Sequence, residues 1–271
     1  MPVSLRASGE KVWRQRNPRQ TLLNYVGWLI GLVILAISFR FIAGQTLWFF
    51  VWDAPAQAAD LIDRMFPPAW GYLPKLWKPL WDTINIATLG TLLALIIGVP
   101  VAFLAARNTT PHPVVRQIAL ILIVTSRSVS ALIWALLLVS ILGPGLLAGI
   151  LAIALRSIGF CAKLLFEAIE EIDLKPIEAL TSTGASGSQV VSYGIVPQVA
   201  PAFAGISVYR WDINIRESTV VGLVGAGGIG LQLDASIASL QWPQASVIFV
   251  LILGLVVISE WVSAKVRGAI R

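Results

Sequence analysis

"IATLGTLLALIIGVPVAFLAA", residues 86–106, runs for twenty-one positions without a charged side chain. A helix of that length rises about 1.5 Å per residue and measures about 30 Å, the thickness of a bilayer's hydrocarbon core. A buried strand of a soluble protein would end after 4–8 such residues. Working outward, five further stretches have comparable length and apolarity. The six expected spans are about 22–42, 83–106, 115–142, 146–166, 198–223 and 245–262. The third is interrupted by Thr125-Ser126-Arg127-Ser128, and the fifth is the most polar.

Composition agrees. The 271 residues are 57% hydrophobic and 13% charged, with mean hydropathy +0.81. Soluble domains carry roughly 25% charged residues. The net charge of +6 reads as the Lys and Arg excess of cytoplasmic loops and not as a nucleic-acid surface. A single cysteine, Cys161, excludes an internal disulfide, and the one histidine, His112, lies between two prolines far from any acidic cluster. Metal and His-based catalysis therefore have no candidates, and Cys161 reads as a small buried hydrophobe. The first apolar run exceeds the 7–15 residues of a signal-peptide core, so it is expected to stay as an uncleaved anchor.

Basic residues set the orientation. With the N-terminus inside, Arg6, Lys11, Arg14, Arg16, Arg19, Arg107, Arg116, Lys175, Lys265, Arg267 and Arg271 are cytoplasmic, against Arg64, Lys75 and Lys78 outside. Both termini are expected in the cytoplasm. The expected segments are a basic tail at 1–20, the first span at 21–43, an outer interfacial segment at 44–80 and a core at 81–271. The interfacial segment holds Trp48, Trp52, Trp70, Trp77 and Trp81, and "APAQAADLIDRM" within it forms a short amphipathic helix ended by Pro67-Pro68.

The loop at about 171–197 is too polar for lipid. Pro176 can open a short helix through Leu180, Gly184 permits a turn, a second short helix runs to Gly194, and Pro197 opens the fifth span. Such an elbow suits docking to a partner protein. Its spacing is similar to the cytoplasmic motif of ABC importer permeases: E-A-A, three residues, G, nine residues, I-x-L-P. Here stand Glu178-Ala179-Leu180, Gly184 and Gly194-Ile195-Val196-Pro197, with departures at Leu180, Gly194 and Val196. "FPPAW", "LAARNTTP", "EAIEEID" and "YRWDINIRESTVVGLVGAGGIG" further resemble permeases of phosphonate-type importers across most of residues 65–232. Where that family usually has an acid in the third span, this chain has Ala131.

The resemblance implies an all-α integral membrane protein with the type I ABC importer permease fold, about six spans per chain, working as a homodimer in the inner membrane. It implies two ABC ATPase subunits, an external substrate-binding protein and no cofactor in this chain, with ATP and Mg on the ATPase. It assigns docking to Glu178, Ala179, Gly184 and Pro197. The cargo would be phosphonate, phosphite, hypophosphite or a related small oxyanion. The alternatives are an importer permease for another small solute and an ion-coupled secondary transporter.

The fifth span carries Arg210, Asp212, Arg216 and Glu217. Ionisable groups in hydrocarbon cost at least about 2.5–3.5 kcal/mol, so this helix is expected to lie among protein or along a cavity. Asp212–Arg216 has the favourable i,i+4 order and reads first as a pair that holds the bundle. Arg210 and Arg127 are the stronger pathway candidates, since guanidinium grips oxyanions through two hydrogen bonds. Asn214, Arg216 and Glu217 complete the candidate pathway set. Arg156 and Lys163 read as leaning toward the cytoplasmic half.

One motif points elsewhere. Gly225-Ala226-Gly227-Gly228-Ile229-Gly230 matches G-x-G-x-x-G, the dinucleotide turn. That turn needs a preceding strand, a following helix and an acid about 20 residues on. A charged span precedes it here, and no acid follows it at that distance before Glu260. The glycines instead suggest a broken or re-entrant segment, with Gly222, Gly225, Gly227, Gly228 and Gly230 forming a candidate outer gate. No G-x-x-x-x-G-K-[ST] is present, so ATP hydrolysis is expected in a partner.

Overall fold

A computed structural model describes residues 3–5, 9, 11–13 and 18–270. Much of the expected basic tail, with Arg6, Arg14 and Arg16, lies outside the described residues, as does Arg271. Two compact units are distinguished, 1–60 and 61–271.

In the first unit, β1 (Val3–Leu5) and β2 (Lys11–Trp13) form an antiparallel pair with Ser4 opposite Val12. The helix α1 (Pro18–Gln45) has no charge between Arg19 and Arg40 and is apolar on every side, as a lipid-embedded helix must be. The next helix, α2 (Trp48–Met65), starts six residues before the expected amphipathic segment because the apolar run at 48–52 extends it. It stops, as expected, just before Pro67-Pro68.

In the second unit, α3 (Leu73–Ala105) is entered through a short 3₁₀ turn at Trp70–Tyr72. This helix starts ten residues before the expected boundary at 83. Lys75, Lys78 and Trp81 had suggested an interface, but polar residues at the end of a span do not terminate a helix. The buried positions of α3 include Ala87, Gly90, Ala94, Gly98, Ala102 and Ala105, a stripe at spacings of three and four. It faces α6 (Leu146–Glu170). A Cβ on Gly90 would lie 2.8 Å from Ile153 Cγ2, and one on Gly98 would lie 3.4 Å from the Ile158 carbonyl. Small residues let helix backbones approach where the surrounding lipid offers no hydrophobic drive.

The third expected span is not one rod. It divides into α4 (Pro113–Ser128) and α5 (Ala131–Leu142), bent by 88°. Val129 and Ser130 are extended, and the Ser130 hydroxyl accepts from the Ile133 N–H, capping α5. Ser126 bridges the Leu155 carbonyl and the Gly159 N–H, fixing the end of α4 on α6.

After α6 come α7 (Lys175–Ser182) and α8 (Gly187–Gln189). A π-helical stretch, Val190–Ile195, leads without a stop into α9 (Val196–Val221). The second half of the elbow is thus the root of the fifth span and not a separate helix. A further π stretch, Gly222–Ala226, ends α9; α10 (Gly228–Ala238) and α11 (Trp242–Ile270) follow. Among the described residues, five helices are long and apolar enough to cross a membrane, and the bent α4–α5 pair makes six.

Candidate functional site

Three places along α9 gather the polar chemistry: the elbow at its start, a charged cluster in its second half, and the glycine break at its end.

At the elbow, Gly184 has φ +80°, a backbone state that L side chains avoid, and a Cβ there would meet nothing within 4 Å. Glu178, Ala179, Gly184 and Pro197 are all exposed. Ser186 and Gln189 form a capping box that starts the second arm. The base is pinned by Gln198. Its Oε1 accepts from the Asp173 N–H at 3.1 Å, and its Nε2 donates to the Gly194 carbonyl at 2.7 Å. Gly194 is buried, and a Cβ there would lie 3.1 Å from Leu180 Cδ1. Two departures from the importer motif therefore meet: the larger residue at 180 occupies the space left by the absent side chain at 194. Gly194→Ile alone should weaken the elbow by about 1–3 kcal/mol through overpacking, and adding Leu180→Ala should recover most of it. Thermal unfolding of both variants measures this, and a double variant no better than the single one contradicts the pairing.

In the cluster, four helices meet through polar side chains. Arg210 is buried, 2% exposed. Its Nε donates to Ser157 Oγ of α6 at 2.9 Å, its Nη2 to Glu217 Oε2 at 3.1 Å, and its guanidinium lies 4.8 Å from the Phe160 ring centre. Ser157 Oγ donates to Asn214 Oδ1 at 3.1 Å, and Asn214 Nδ2 donates to Thr91 Oγ1 of α3 at 2.7 Å. Arg156 Nη1 also pairs with Glu217, through the other carboxylate oxygen. Arg216 pairs with Asp212, whose Oδ1 accepts from Ser259 of α11 at 2.7 Å. One face of the cluster opens on a cleft of about 280 Å³ bounded by Ser130, Ala131, Arg156, Arg216, Glu217 and Val220.

Of the pathway candidates, Arg216 and Glu217 line this cleft, while Arg210 and Asn214 lie behind it in the packed interior. Arg127 stands in the last turn of α4, exposed, with no hydrogen bond or ion pair among the described residues. Arg156 of α6 reaches across to Glu217 of α9. Lys163 pairs with Glu167 on its own helix. Ala131 sits in the cleft wall at the start of α5, a placement set by the break at Val129–Ser130. Arg210→Met strips Glu217 of one partner and leaves Ser157 without its donor. Hydrogen bonds to charged groups are worth about 1.5–3 kcal/mol, so the variant should unfold at a clearly lower temperature, whereas Arg127→Met should not.

At the break, Gly225, Gly227 and Gly228 have φ of +90°, +84° and +73°. The Thr83 hydroxyl of α3 accepts from the Ile229 N–H at 2.7 Å, holding the start of α10. The Gly225 carbonyl accepts from the Gly145 N–H at 3.0 Å. A Cβ on Gly149 would lie 2.8 Å from the Ala226 carbonyl. The glycines thus sit in a tight turn and the start of α10, packed on α3 and α6. No strand precedes the G-x-G-x-x-G match; α9 does.

Comparisons with known proteins place this geometry. The family described as binding-protein-dependent transport system inner membrane component matches residues 98–266. The phosphite transport system permease protein PtxC of Stutzerimonas stutzeri is 37% identical over 97% of this chain and 92% of its own length. The phosphate-import permease protein PhnE of Mycolicibacterium smegmatis is 42% identical over 79% of this chain and 40% of its own length. The inward-facing MetNI methionine ABC transporter superposes with a TM-score of 0.62 at 21% identity, over 72% of this chain and 96% of that one, a likeness of fold.

Proposed function

Because this chain belongs to the family of binding-protein-dependent transport system inner membrane components, we propose that it is the membrane-spanning subunit of an ATP-driven importer for a small phosphorus oxyanion. The observation that carries the substrate is the likeness to a phosphite permease along 97% of the chain. The cleft with two guanidiniums supports it, because arginine binds such oxygens through paired hydrogen bonds.

In this reading two copies of the chain assemble with two ATPase subunits and an external binding protein. Both termini face the cytoplasm, so the elbow lies inside and the glycine break outside. Glu178, Ala179, Gly184 and Pro197 seat the ATPase. When the ATPases close on ATP and Mg, the elbow carries the movement into α9, with which it is continuous. The turn at 222–228 yields at the outer mouth, and the anion passes from the binding protein to the cleft. Hydrolysis restores the inward state. ATP supplies the bias between two conformations, and this chain contributes the conduit.

The test is phosphite uptake by proteoliposomes holding the whole importer, with ATP inside and binding protein outside. Uptake that requires both, and that phosphonate or hypophosphite competes with while methionine does not, is the expected result. Uptake blocked by methionine and indifferent to phosphorus oxyanions contradicts it.

A further inference from the structure

The cleft has an uneven charge balance. Arg156, Arg210 and Arg216 face two carboxylates, Glu217 and Asp212, within hydrogen-bonded reach of one another. Asp212 is committed to Arg216 and Ser259. Glu217 is shared, one oxygen to Arg156 of α6 and the other to Arg210 of α9. One positive charge is left over in a half-enclosed site. The side chain of Arg210 is 2% exposed and cannot reach a solute, whereas those of Arg156 and Arg216 are 36% and 46% exposed. The third element at the cleft, α5, adds no charge; its capping residue Ser130 accepts from a backbone N–H through its oxygen while its proton remains available to donate.

From this arrangement, and resting on the function proposed above, we propose that the cleft selects the singly charged, proton-bearing form of its tetrahedral oxyanion. Arg156 and Arg216 donate to two of its oxygens, and Glu217 accepts a hydrogen bond from its O–H. A monoanion cancels the surplus charge. A dianion overshoots it and brings a bare oxygen against the Glu217 carboxylate, where acceptor meets acceptor and like charges repel. Arg210 is a positioning residue, since it holds Glu217 by the second oxygen while Arg156 turns to the solute. A carboxylate at an anion site, otherwise a liability, thereby discriminates by protonation state.

The test uses the complete importer in proteoliposomes with the interior buffered at one pH. The external pH is set at 6 or 8, and phosphite is the probe, at concentrations that keep the binding protein saturated at both. The second ionisation of phosphate-like groups lies near about 6, so the monoanion fraction falls roughly tenfold or more over this interval. Import by the unaltered protein should fall in step. Glu217→Asp keeps a carboxylate and should keep the profile, while Glu217→Gln, which can accept from or donate to the anion, should flatten it to within about twofold. Hypophosphite stays a monoanion over this range, with two oxygens for Arg156 and Arg216 but no O–H for Glu217, so it should enter more slowly than phosphite at pH 6 yet at equal rates at both values. Phosphite entering equally fast at both values overturns the selection and leaves the importer reading intact. Phosphite entering at neither value overturns the selection, and hypophosphite also entering at neither overturns the importer reading as well. If neither Glu217 variant assembles, the contrast between phosphite and hypophosphite in the unaltered protein decides.

Discussion

Gly230→Ala should abolish the folded importer. A Cβ at Gly230 would overlap the Thr219 carbonyl and lie 2.9 Å from the Cα of Gly222. Gly222 is as confined, with the Gly227 carbonyl at 2.6 Å and the Cα of Gly230 at 2.9 Å. Overpacking a core usually costs about 1–3 kcal/mol because side chains can turn aside. Here both neighbours are backbone, and the backbone is held by the Thr83–Ile229 and Gly145–Gly225 hydrogen bonds. The end of α9 and the start of α10 would have to separate. Monodisperse yield in mild detergent and uptake should both collapse. Gly254→Ala supplies the contrast, since a Cβ there meets nothing within 4 Å and α11 gains the better helix former by up to about 1 kcal/mol. Normal uptake by Gly230→Ala would mean that the close crossing of the two segments is wrong.

Gly184→Val should act in the opposite manner, leaving the membrane domain folded and disconnecting it. The residue is exposed and its surroundings are empty, so the folded state loses only the strain of a positive φ, about 1–2 kcal/mol. That strain is relieved by swinging α7 away from its place over Gly194, and the proposed docking surface at Glu178 and Ala179 moves with it. Co-purification of the ATPase should fall about tenfold or more, the effect of about 1.4 kcal/mol in binding, with the permease still present at normal yield. Gly187→Ala, where φ is not positive and nothing lies within 4 Å, should be neutral. Unchanged ATPase capture and uptake in Gly184→Val would remove the elbow from the coupling path.

The spans were legible because twenty apolar residues in a row admit few other readings. The ends of the spans were not. Lys75, Lys78 and Trp81 suggest an interface by residue type, and α3 runs through all three. The elbow could be read at its first arm from Pro176 and Gly184. Its second arm looked like a separate helix because Pro197 signals a start, yet the turn before it is π-helical, and that wider winding carries the helix past a residue with no N–H to donate. Charged pairs on one helix, such as Asp212–Arg216, follow from spacing alone. The partnership of Arg156 with Glu217 spans two helices and depends on how α6 is rotated. The signal for that rotation was present: Ala148, Gly149, Ala152 and Gly159 mark the packed face of α6, and Arg156 stands beside Ser157 on its flank. The 88° bend was hinted at by the polar run at 125–128, but the break falls just beyond it, at Val129 and Ser130. The Ser130 oxygen accepts the Ile133 N–H and caps α5, whereas the Ser126 oxygen accepts from Gly159 of α6 and Ser128 turns its hydroxyl back on the Val124 carbonyl of its own helix.

The central claim is that this chain is moved by a nucleotide-hydrolysing partner seated on the bend at Gly184. The direct measurement is phosphite accumulation in vesicles, with and without the ATPase, at equal permease content and with binding protein outside. Accumulation above the external concentration only when both the ATPase and ATP are present is the predicted result. Uphill accumulation by vesicles holding this polypeptide as their sole membrane protein, driven by an ion gradient, would contradict it.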